Sequence, residues 1–145
     1  MEREISNVRL YAMRLVFLLT FVGLAPSAWQ EIIVPAETWE PFYGVAIAFW
    51  AALALLSIMG FLYPLKMLPL LFLQLTYKLI WILGVGLPLW QQGLLEGAAR
   101  ELAFANGIGV ILDILVIPWV YVARQYFYRP IWWFSGQEKH REPAN

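Results

Sequence analysis

The sequence predicts an all-α fold: a transmembrane four-helix bundle in up-down-up-down order, with both termini in the cytoplasm. Three observations carry that prediction. The 145 residues are 61% hydrophobic and only 14% charged, against roughly 25% charged in an ordinary soluble domain, so too little polar surface remains to clothe a water-soluble globule. The apolar residues gather into blocks of about 20, the length a helix needs to cross a hydrocarbon core of roughly 30 Å. The basic residues fall almost entirely on one side of those blocks.

The first block spans residues 8–25 and closes at Pro26, behind which the stretch from Gln30 to Glu40 is polar. Residues 42–63 form the second block, with Ala46, Ala54, Ser57 and Gly60 as small positions that admit a neighbouring helix or a partner protein. Pro64, Lys66 and Pro69 mark a short break, which makes helices 2 and 3 a hairpin. Helix 3 covers residues 67–90. A polar stretch containing Gln91, Gln92, Glu96, Arg100 and Glu101 leads into helix 4 at 104–127, where Pro118 removes a backbone donor and predicts a kink. Tyr126, Phe127, Tyr128, Trp132, Trp133 and Phe134 around Arg129 and Pro130 read as an aromatic anchor at the headgroups. One domain over 1–134 and a polar cytoplasmic tail over 135–145 complete the organisation.

Orientation follows from charge. Arg3, Arg9, Arg14, Lys66, Arg124, Arg129, Lys139 and Arg141 lie toward one side, Arg100 on the other and Lys78 within a span; the side rich in lysine and arginine is cytoplasmic. Trp29, Trp39, Phe42, Tyr43, Trp90 and Phe104 supply an outer aromatic belt. A second reading of the first block stays open: Arg9 and Arg14, a short apolar run, then Ala25, Ser27 and Ala28 also resemble a secretory signal peptide.

Composition excludes several functions. Basic and acidic residues number 10 each, which leaves no field to recruit nucleic acid. The chain has no cysteine, which rules out thiol redox chemistry and thiolate metal sites, and its single histidine, His140, sits in the polar tail, which rules out histidine-ligated haem within the membrane. Glu31, Glu37 and Glu40 match no metal-ligand template. No nucleophile-base set, phosphate-binding glycine loop or membrane metalloprotease motif is present, so the sequence names no cofactor, and catalysis, as a quinone-linked redox subunit, is the runner-up to binding.

What remains is a pair of charges in the wrong solvent. Lys78 in helix 3 and Asp113 in helix 4 each cost about 2.5 to 3.5 kcal/mol at a helix centre, so they should face inward and meet. Gln74, Lys78 and Trp81 recur at helical spacing, as do Asn106, Gly109 and Asp113. Arg14 on helix 1, with Thr20 deeper, is placed either to join from the cytoplasmic side or to snorkel to the headgroups. Three roles are open for the cluster: a rivet between helices 3 and 4, the polar spot of an apolar pocket lined by Tyr77, Trp81 and Trp119 that orients a lipophilic ligand, or part of an ion or proton path. The candidate ligand-binding set is therefore Arg14, Gln74, Tyr77, Lys78, Trp81, Asn106 and Asp113.

The stretches YPLKMLPLLFLQLTYKLIWILGVGLPLW, from Tyr63 to Trp90, and RLYAMRLVFLLTFVGLAPSAW, in helix 1, resemble a group of small bacterial four-helix membrane proteins without an assigned activity. In size and helix count the chain is also similar to the DoxX-like families. That likeness implies an inner-membrane location and, for some members, quinone-linked oxidation or detoxification. It brings no catalytic motif to match here. The expected partners are the bilayer, a small lipophilic molecule (a lipid or quinone-like compound), and a second copy or a membrane protein.

Overall fold

A computed structural model describes residues 5–35 and 38–127. Among them, all regular structure is helical: α1 (Asn7–Ile33), α2 (Pro41–Leu62), α3 (Leu68–Gln91), α4 (Gly97–Val116) and the short α5 (Trp119–Val122). Three helices, α1 to α3, are long and apolar enough to cross a membrane, and a fourth span results if α4 and Trp119–Tyr126 are taken as one span broken at Pro118. Large apolar side chains such as Val8, Leu19, Val22, Ile80, Leu83, Ile111 and Leu115 point outward. Water tolerates few contiguous patches of that kind, whereas lipid tails solvate them. The helices are thus compatible with an integral membrane protein.

Each helix start has a local cause. Ser6 caps α1, its Oγ accepting the Arg9 backbone N–H at 3.3 Å. Glu40, expected in an acidic loop, caps α2 by accepting the Tyr43 N–H at 2.9 Å, and Pro41 occupies the first turn, where its missing donor is not needed. Glu37 lies outside the described residues.

Four further prolines within or beside the long helices behave differently. Pro26 does not end α1, which runs on through the small residues 25–28 to Ile33; one lost hydrogen bond inside a 27-residue helix interrupts the ladder without stopping it. Pro69 sits in the first turn of α3. Pro88 is accommodated by a π turn over Ile82–Gly86, in which the Leu87 N–H reaches back five residues to the Ile82 carbonyl. That widening makes room for a ring that would otherwise clash with the carbonyl four residues earlier. Pro118 breaks the helix outright: Ile117 is extended (φ −58°, ψ 124°) and Pro118 follows at φ −78°, ψ 77°. A residue preceding proline is pushed out of the helical region, and here nothing restores it.

Helix 4 differs from expectation at both ends. It begins at Gly97, in the left-handed region at φ 53°, rather than at residue 104, because the polar residues Arg100 and Glu101 stand on exposed turns of the helix instead of in a loop. It ends at Val116 rather than 127, for the reason just given. A short helix over Trp119–Val122 and a π turn over Ala123–Phe127 follow. The aromatic anchor from Tyr128 to Phe134 and the tail 135–145 lie outside the described residues.

The described residues divide into two compact units, one comprising Ser6–Ile117 and the other Ile5 with residues 118–127. In the first unit α1 packs along α2, α3 packs on α4, and α1 also meets α4. Met13, Val16 and Phe17 of α1, Leu53 and Ala54 of α2, and Leu68, Leu71 and Leu75 of α3 form the apolar core. The small face of α2 receives α1: Ala54, Ser57 and Gly60 are buried, and a Cβ at Gly60 would stand 2.4 to 2.5 Å from the ring atoms of Phe17. Only glycine permits that contact.

Candidate functional site

Lys78 stands 13 residues before the end of α3, and Asp113 stands 16 residues after the start of α4. Nearly equal path lengths from the connection at 92–96 bring the two to one level when the helices lie side by side. They meet: Lys78 Nζ donates to Asp113 Oδ2 at 2.8 Å, with 10% of the lysine side chain and none of the aspartate accessible.

Gly109, one turn before Asp113, gives the lysine its seat. A Cβ there would lie 2.8 Å from Lys78 Nζ, 2.9 Å from Cε and 3.0 Å from Cδ. The glycine therefore admits the lysine stem, rather than another backbone, and lets the ammonium lie against α4 within reach of the carboxylate.

Gln74, fully buried one turn before Lys78, extends the pair toward α1. Its Oε1 lies 3.5 Å from Lys78 Nζ and accepts from Thr20 Oγ1 at 2.9 Å; that hydroxyl is also 2.9 Å from the Val16 carbonyl and shares its one proton between them. Because an ammonium has donors and no acceptor, the amide atom facing it is the oxygen, and Gln74 Nε2 is turned away. Two atoms of the cluster are then buried with no hydrogen-bond partner among the described residues: the donor Gln74 Nε2 and the acceptor Asp113 Oδ1.

The other candidates are placed as follows. Tyr77 meets Phe49 of α2 edge to face, with ring centroids 5.4 Å apart, and its ring lies 6.0 Å from Lys78 Nζ. Asn106 is buried on the same face of α4, two turns before Asp113, and makes no side-chain hydrogen bond to the cluster. Trp81 lies along its own helix, its ring 3.2 Å from where a Cβ would stand on Gly86, and so lines the π turn. Arg14 does not join the cluster: its guanidinium sits 5.6 Å from the Tyr11 ring, and Thr20 makes the contact from α1 instead. Six residues separate Arg14 from Thr20, roughly 9 Å of helix, so the arginine is too near the helix start to reach. Trp119 belongs to the second unit, where it is partly exposed.

Sequence reasoning placed Thr20 and Gly109 near the cluster but did not include them in the ligand-binding set. Both carried a signal: Thr20 is a hydroxyl inside an apolar block, and Gly109 lies at i−4 from the buried acid on the same helix face. A separate shallow groove lined by Leu95, Gly97, Arg100, Glu101, Ala103 and Phe104 contains none of the cluster residues. Among the described residues, no three histidine, aspartate or glutamate side chains group as metal ligands.

Fold and site together describe a helical protein with membrane-length spans and a buried, net-neutral ion pair at mid-span. Compared with known proteins, the chain matches no family model, no curated protein and no solved structure.

Proposed function

We propose that this chain is an integral protein of a bacterial inner membrane that binds a small lipophilic molecule, holding its polar head at Gln74, Lys78 and Asp113. One observation supports this above all. A pair serving only to rivet two helices is best when every polar atom is satisfied, because an unmatched donor or acceptor in a low-dielectric interior costs about 1 to 3 kcal/mol. This cluster leaves one of each, fully buried, beside the ion pair. A ligand head group offering both kinds of hydrogen bond would use that capacity, and the surrounding helices would solvate an apolar tail.

The concentration of Arg9, Arg14, Lys66 and Arg124 toward one side supports placing both termini in the cytoplasm. The test is native mass spectrometry of the protein released gently from its own membrane, with identification of whatever stays bound. A single lipophile retained by the native chain and lost on changing Lys78 or Asp113 is the expected result. A bare protein, or lipids retained equally by native chain and variants, would refute the reading and leave the cluster as a rivet.

A further inference from the structure

The hydrogen-bonding and charge pattern of the cluster restricts which head group it can hold. Resting on the reading that a lipophile binds here, we propose that the ligand's head is uncharged and carries both a hydrogen-bond donor and an acceptor, as in a long-chain primary amide or hydroxy-carbonyl compound, and that ionised fatty acids and alkylamines are rejected.

Charge supplies the first half of the argument. Lys78 and Asp113 cancel one another at 2.8 Å. Arg14, the next charge along α1, lies outside the cluster, its guanidinium 5.6 Å from the Tyr11 ring and its Nε buried without a hydrogen-bond partner among the described residues. An ionised head placed among these groups would add a charge with no counter-ion in a site surrounded by apolar side chains, the situation membrane interiors penalise most. A neutral head leaves the balance intact.

The unmatched atoms supply the second half. Asp113 Oδ1 has lone pairs and no donor, so it calls for a ligand N–H or O–H. Gln74 Nε2 has N–H groups and no acceptor, so it calls for a ligand oxygen. Their carriers are locked relative to one another, Gln74 by Thr20 and Asp113 by Lys78. A head with only an acceptor satisfies Gln74 and leaves the carboxylate oxygen bare. A tenth of the Lys78 side chain is accessible, and the Tyr77 ring lies 6.0 Å from its Nζ.

The experiment compares four probes sharing one alkyl chain, namely dodecanamide, methyl dodecanoate, dodecanoate and dodecylammonium, on the full chain in detergent, at a pH where the last two are ionised. Bound fractions are read by native mass spectrometry at matched concentrations. Dodecanamide should bind at least about tenfold tighter than either ion, a difference in Kd of the size one lost or gained polar contact produces, and tighter than the ester. Asp113→Asn leaves a lone ammonium and should turn the preference toward dodecanoate. Lys78→Met leaves a lone carboxylate and should turn it toward dodecylammonium.

The double variant Lys78→Met/Asp113→Leu, apolar and expected to fold, should lose the preference of amide over ester. Equal or tighter binding of an ionised probe to the native chain overturns the proposal, as does a preference that the two single variants leave in place; if those variants do not fold, the ranking on the native chain decides. If no probe binds the native chain better than the double variant, the binding reading itself fails, a result distinct from a bound lipophile of the wrong charge.

Discussion

Changing Asp113 to asparagine should destabilise the protein in a way that changing Lys78 to methionine partly repairs. In the native chain the ammonium has one strong partner, Asp113 Oδ2 at 2.8 Å, and one distant one, Gln74 Oε1 at 3.5 Å. Removing the carboxylate charge leaves the lysine buried with the weaker contact and a neutral amide. In soluble proteins, breaking such a pair costs about 3 to 5 kcal/mol. In a bilayer, the unfolded reference keeps its helices inserted and finds other partners, and single interhelical hydrogen bonds average only about 0.6 kcal/mol, with a maximum near 1.7. A fully desolvated ion pair falls between these limits, so Asp113→Asn should cost roughly 2 kcal/mol. With Lys78→Met in the same chain no bare charge remains, and at least about half of the loss should return. The assay is a double-mutant cycle by reversible unfolding in mixed micelles. Purely additive single effects, with a coupling under about 0.5 kcal/mol, would show that the two side chains do not interact and would remove the foundation of the site.

Three further outcomes follow from individual contacts. Gly109→Ala should lower stability by roughly 1 kcal/mol while Lys78 is present, because the added methyl occupies the seat of the lysine stem, yet in a Lys78→Ala background it should be neutral or stabilising by up to about 1 kcal/mol through helix propensity; the same unfolding assay reads the change of sign. Gly60→Ala should cost about 1 to 3 kcal/mol, because a fully buried Phe17 ring cannot yield the 2.4 Å approach, and Phe17→Leu in the same chain should recover part of it. Thr20→Val, which removes the hydroxyl on Gln74 Oε1 without changing shape, should cost about 0.6 kcal/mol, whereas Thr20→Ser should keep most of the bond and Arg14→Met should be additive with Asp113→Asn.

Much of the fold was legible in one dimension. Apolar blocks of membrane length mark α1, α2 and α3 to within one residue at most of their ends, because each block is a run of apolar residues closed by polar ones or proline. The same signal placed α4 seven residues late: Arg100 and Glu101 read as a connection, although a helix carries polar residues on an exposed turn without ending. Prolines defeated the reading in both directions, since Pro26 is absorbed and Pro118 breaks the helix. The sequence holds the missing donor in each case, and only the surrounding packing decides whether the backbone continues.

For the site, hydropathy required Lys78 and Asp113 to turn away from lipid and made each the natural partner of the other, while leaving open whether they meet. Two charges in apolar blocks, at similar distances from one short connection, lie at similar depth, and the structure shows the contact itself at 2.8 Å. Packing then set rotation, which side of each helix faces which neighbour. Rotation put Thr20 rather than Arg14 against Gln74, laid the lysine stem over Gly109, turned Trp81 onto Gly86, and left Gln74 Nε2 and Asp113 Oδ1 unmatched. Position along a helix is counted in residues, so depth can be read from sequence. Azimuth is set by the simultaneous packing of several helices, and no single segment contains it.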